Sequence, residues 1–142
     1  MSRITRIWYW FKTVIRTLMT NILLKDESYK IIGLCMEIHR ALGLGFREIV
    51  YKDALEYEFK QNRIPYLRER KFSINYKGYI LPHAYFADFI VYNSIVLEVK
   101  STSMIVNGFI KQTVNYLKAS NLQLGIIENF GQNSFTSKRV VF

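Results

Sequence analysis

The chain has one cysteine, Cys35, in 142 residues. No intrachain disulfide can form, which excludes a disulfide-stapled scaffold and fits a reducing compartment, the cytoplasm. Only two prolines and seven glycines are present, too few for a collagen-like or a Pro/Gly-rich disordered chain. Acidic residues are scarce: eleven against twenty Lys and Arg, a formal net charge of +9 at pH 7. No apolar run reaches the length of a membrane span. There is no internal repeat and no low-complexity linker. Residues 24 to 142 therefore count as one domain, preceded by a distinct segment, 1 to 23. Half of the residues are hydrophobic, enough for a globular core. The basic balance points to a polyanionic partner, most often nucleic acid and otherwise an anionic membrane surface.

Residues 1 to 23 carry Arg3, Arg6, Lys12 and Arg16 and no acid. Ile4, Trp8, Phe11, Ile15, Leu18 and Ile22 recur at helical spacing and form one face. Lys12 and Arg16 break any signal-peptide core. Three arrangements fit this helix: packing on the domain or on a second copy, lying on a membrane surface, or an over-extended start with Met19 as the alternative first residue.

The centre of the chain is Tyr85 to Ser101. Two β-rich runs, Phe89 to Tyr92 and Ile95 to Val99, flank a turn at Asn93-Ser94. Asp88, Glu98 and Lys100 interrupt an otherwise apolar unit, and charges there are costly unless paired or ligated. Alternation puts Glu98 and Lys100 on one face and Val99 on the other. Pairing about the turn brings Asp88 level with Glu98 or Lys100. Two hard carboxylates suit Mg²⁺ or Mn²⁺, and Lys100 can position a water or stabilise charge on a phosphate. The plainer reading is a solvated strand face.

A helix is expected over Asp26 to Leu42, capped by Asp26 or Ser28 and ended by Gly43. Its buried stripe is Ile31, Leu34, Cys35, Ile38, Ala41 and Leu42, with His39 beside it as a packed or surface residue. A second helix spans about Phe46 to Asn62. Its Glu48 favours the helix dipole or joins the metal site. A strand is expected over Ile64 to Tyr76, then a turn at Lys77-Gly78, then an irregular Pro82-His83 connection. Arg63, Arg68, Arg70 and Lys71 form a candidate phosphate-tracking face. A helix capped by Asn107 runs to about Ser120 and puts Gln112 and Tyr116 on one face, placed to contact a phosphate, a base or Lys100. Two strands follow, Leu122 to Glu128 and Lys138 to Phe142, the last at an edge.

Gly45-Phe-Arg-Glu48-Ile-Val-Tyr51 has the form GxxExxY. With Asp88, Glu98-Val-Lys100, Tyr116-Leu-Lys118, Asn129-Phe-Gly131 and Lys138-Arg139 in order, residues 24 to 142 resemble the GxxExxY protein family. That family is placed in the PD-(D/E)xK nuclease superfamily. The resemblance implies an α/β fold with a restriction-endonuclease-like αβββαβ core, a central mixed sheet flanked by helices, and a Mg²⁺-dependent nuclease site. Carried over by position, Asp88 and Glu98 hold the metal, Glu48 is the preceding helix carboxylate, and Lys100 completes the motif. Gln112 and Tyr116 are similar to the QxxxY element of the RecB-like exonuclease branch, which supports the site and DNA. Ala87 stands where the motif has proline, and residues 1 to 23 have no counterpart. The expected activity is hydrolysis of DNA phosphodiesters by in-line attack of water. The alternative is a catalytically weak binding or accessory module of a larger repair or defence assembly. So small a chain suggests a homodimer or a protein partner.

Overall fold

The computed structural model describes residues 2 to 142, and only the backbone of residue 17 and residues 19 to 23. Met1 and the side chains of Met19 and Ile22 thus lie outside the described residues.

Three helices lead the chain: α1 (Arg3–Leu23), α2 (Lys25–Leu42) and α3 (Glu48–Gln61). Then come β1 (Tyr66–Tyr76), β2 (Tyr79–Val91), β3 (Ile95–Lys100), α4 (Asn107–Ser120), β4 (Leu124–Asn129) and β5 (Thr136–Val141). The five strands lie side by side in chain order. Neighbours are antiparallel except β3 and β4, which run parallel with α4 as the crossover. From α3 to β4 the order is αβββαβ. One face of the sheet packs Phe89, Val91, Leu97 and Ile126 against Ile31, Leu34 and Ile38 of α2 and Tyr51, Leu55 and Phe59 of α3. The other packs Ala87, Ile90, Val96 and Ile127 against Tyr116 and Leu117 of α4. Both faces are apolar, as a sheet covered on two sides requires.

Several local expectations shift. Residue Leu24 precedes α2 with no side-chain cap. Asp26 lies in the first turn, where it favours the dipole, and the Ser28 hydroxyl donates to the Leu24 carbonyl from inside the helix. Likewise Val106, not Asn107, precedes α4. The central turn falls one residue early: Tyr92 and Asn93 have φ of 55° and 54°, and the Ser94 N–H bonds the Val91 carbonyl. Strand β2 runs unbroken through Pro82 and His83. The register with β1 slips between Ser73 and Asn75, and this bulge absorbs the N–H that proline lacks.

The first helix also departs from one expectation. Ile4, Trp8, Phe11, Ile15 and Leu18 are exposed, so the described part of the stripe does not pack on the domain. Among the described residues no helix is long and apolar enough to cross a membrane.

Candidate active site

The site lies where β2 parts from β3. Their Cα pairing runs from Val91↔Ile95 to Phe89↔Leu97 and stops. One step further, Asp88 stands level with Glu98. There the ladder's next N–H groups are met by carboxylates instead of carbonyls. The Val99 N–H donates to Asp88 Oδ2 at 2.8 Å, and the Asp88 N–H donates to Glu98 Oε1 at 3.3 Å. The fork therefore fixes both carboxylates through the backbone of the opposite strand. Of the two partners left open for Asp88, Glu98 is the one adopted.

Helix α4 closes one side of this fork. Lys100 Nζ donates to Gln112 Oε1 at 3.3 Å and lies 4.6 Å from the centre of the Phe109 ring. Gln112 Nε2 in turn donates to the Tyr116 hydroxyl at 3.3 Å. Of the contacts left open for Gln112, Lys100 is thus the one made. Tyr116 is buried, edge-on to Tyr85. It offers the site its hydroxyl, not a ring face for a base. Burial, then the charges of Glu98 and Asp88, push its phenol up, so it stays protonated.

Helix α3 supplies the other side, through a residue the motif does not contain. Lys52 Nζ donates to Asp88 Oδ1 at 3.0 Å and also to Glu69 Oε1 of β1. Burial lowers the Lys52 pKa, but the bonds to Glu69 and Asp88 outweigh it and the net direction is up. Glu48 lies one helical turn before Lys52. With Lys52, Phe46, Arg47, Ile49 and Ser101 it lines an open cleft of about 560 Å³. The structure does not gather Glu48, Asp88 and Glu98 into one cluster: among the described residues no three His, Cys, Asp or Glu converge as a metal site. Sequence reasoning passed over Lys52 and Glu69. One signal was available, since Lys52 is four residues from Glu48 and must share its helix face.

The remaining motif residues hold this frame. Gly45 takes φ 98°, a conformation that favours glycine. Tyr51 is fully buried, stacks on Phe130 with centroids 4.5 Å apart, and donates its hydroxyl to the Gly43 carbonyl. Asn129 accepts from the Thr102 and Gly131 N–H groups and donates to the Thr102 carbonyl. A Cβ on Gly131 would come within 2.2 Å of the Thr102 nitrogen, so only glycine lets this loop approach the residues after Lys100. His39 is packed, with Nε2 2.8 Å from the Gln132 carbonyl oxygen. The basic face is divided. Arg68 is paired with Asp53 at 2.8 Å and with Glu56 at 3.5 Å, whereas Arg63, Arg70 and Lys71 are exposed.

Electrostatics mark Glu98. Burial, then the neighbouring Asp88, pushes its carboxyl up to about 9, although the Asp88 N–H and Lys100 pull the other way. Two adjacent hard carboxylates, one of them disfavoured as an anion, form a donor set that fits a divalent cation. Water and phosphate would complete its shell, as Mg²⁺ prefers.

A five-stranded mixed sheet between helices, with a carboxylate pair and a lysine at its fork, is restriction-endonuclease-like. The chain belongs to the PD-(D/E)XK nuclease superfamily, whose family model matches residues 25–140. The fold is also that of the crystal structure of SSO0001, with a TM-score of 0.54 at 18% identity over 85% of this chain. The chain spans 61% of the length of that solved chain. No curated protein matches.

Proposed function

We propose that the protein is a metal-dependent nuclease that hydrolyses DNA phosphodiesters. The observation that carries this is the fork, where Asp88 and Glu98 face each other beside Lys100. Asp88 and Glu98 would hold Mg²⁺ or Mn²⁺, and Glu48 contributes from the cleft wall through water. The ion supplies Lewis-acid polarisation of the phosphate and lowers the pKa of water. Lys100, steered by Gln112 and Phe109, holds the attacking water in line and balances charge growing on the phosphoryl oxygens. Water oxygen bonds to phosphorus as the opposite P–O bond breaks, the water proton passes to solvent, and the leaving oxygen takes a proton from solvent to become a hydroxyl. The Tyr116 hydroxyl keeps Gln112 oriented. Exposed Arg63, Arg70 and Lys71 track the backbone, with Arg68 joining if its carboxylates release it, so binding weakens steeply with salt.

The alternative, a binding or accessory module of weak turnover, draws on one observation: the Lys52 ammonium already sits on Asp88. A cleavage assay on linear, circular and branched DNA, with RNA beside them, separates the two. With Mg²⁺ or Mn²⁺ the native protein cuts DNA, while folded Asp88→Ala and Lys100→Ala lose on the order of 10²–10³-fold. DNA binding without cutting by the native protein would instead establish the accessory module.

A further inference from the structure

We infer that Lys52 is a resident cation filling the second cation position of the fork, so that the protein takes up one divalent ion and not two. The inference rests on the proposed role of Asp88 and Glu98. It arises from three carboxylates in a row on three adjacent strands.

The register sets the row. Arg68 pairs with Phe89 and Arg70 with Ala87, which puts Glu69 level with Asp88. Asp88 is level with Glu98 on its other side. Three carboxylates in a row leave two gaps, and two gaps between hard oxygens are where a two-ion nuclease holds its metals. The gaps differ here. Among the described residues no cationic side chain bridges the oxygens of Asp88 and Glu98. Between Glu69 and Asp88 the Lys52 ammonium bonds both.

Three further observations show that this gap is built around the lysine. Lys52 is 8% exposed although it is a lysine, so α3 delivers its stem through packed surroundings to one destination. Glu69 has φ 54° in the middle of a strand, a left-handed conformation that non-glycine residues seldom adopt. Its half-exposed carboxylate accepts from the Lys52 ammonium. Asp88 divides its oxygens, with Oδ2 on the Val99 N–H and Oδ1 on Lys52. A second divalent ion would have to break both lysine bonds and share the gap with an ammonium, and like charges at that range repel strongly. Lys52 therefore acts through Asp88 as a positioning residue. It supplies the positive charge of a second ion without the need to recruit one.

The test is Mn²⁺ stoichiometry, by calorimetry and by electron paramagnetic resonance, on the native protein, Lys52→Arg and Lys52→Ala. One Mn²⁺ is expected for the native protein and for Lys52→Arg. Lys52→Ala is expected to take two, with the spin-coupled spectrum of a close pair. Two ions in the native protein, or a single ion in folded Lys52→Ala, would overturn the inference while leaving the nuclease reading intact. No Mn²⁺ bound by the native protein would overturn the metal reading itself. Two ions in the native protein overturn the inference even where Lys52→Ala fails to fold.

Discussion

Two buried glutamates lie on neighbouring parallel strands, and they teach different lessons. Glu98 of β3 is level with Ile127, and Glu128 of β4 is level with Val99. They are 3% and 0% exposed. Burial pushes both carboxyls up, to about 9 for Glu98 and about 8 for Glu128. Their faces are opposite. Glu98 lies on the α4 side, where its charge bears on Tyr116. Glu128 lies on the α2 side, where its charge, after burial itself, raises the Cys35 thiol. Glu98 has Asp88 and Lys100 for neighbours. Glu128 has no full hydrogen bond to either oxygen among the described residues, and only the Ser137 side chain on the paired strand opposes its shift. A perturbed carboxyl is thus not by itself a site. The presence of a second carboxylate and a lysine beside Glu98 is what separates the two.

The largest expected difference is catalytic. Glu98→Gln should cost on the order of 10³-fold in DNA cleavage, and Glu128→Gln should cost nothing in a folded protein. Equal losses in the same assay would break the comparison. Next comes stability. Between about pH 4.5 and the folded values near 8 and 9, each glutamate is protonated when folded and ionised when unfolded. The folded state binds more protons there, so metal-free protein loses stability as pH rises through that window. Glu128→Gln should remove its share, a gain of roughly 2–4 kcal/mol at pH 9 and little at pH 5. Urea melts at the two values would show it, and a gain independent of pH would refute the assignment. The smallest effect belongs to Ser137→Ala. Losing the hydroxyl that favours the Glu128 anion should move that stability step to higher pH by less than about one unit. A shift to lower pH would show that the hydroxyl bonds something else.

What the sequence made legible follows from what is local. Alternation along Ile95 to Lys100 put Glu98 and Lys100 on one face, and counting back from the turn brought Asp88 level with Glu98 or Lys100, a choice left open until the turn was placed one residue earlier. The face is decided by period two and survives small errors at the loop. Helices α3 and α4 were visible for the same reason, from spacing alone. Spacing put Lys52 on the helix face of Glu48, but its bonds to Asp88 and Glu69 depend on how α3 lies across the fork and on a reversed φ within β1. Neither is encoded by spacing. Pro82 misled because a proline ends a strand unless a bulge takes it up, and a bulge is a property of two strands. The stripe of α1 was legible as a stripe, but periodicity does not say what covers it.

The fork has one more consequence. A carbonyl accepts a hydrogen bond with the same strength at every pH, but a carboxylate does not, since its charge comes and goes. The amides of Asp88 and Val99 are held by Glu98 and Asp88. Exchange of the Asp88 amide with deuterium is therefore tied to the charge of the site itself, and it should report from within the backbone whether Glu98 is protonated or engaged. One amide resonance is enough to follow the state of the fork without a substrate.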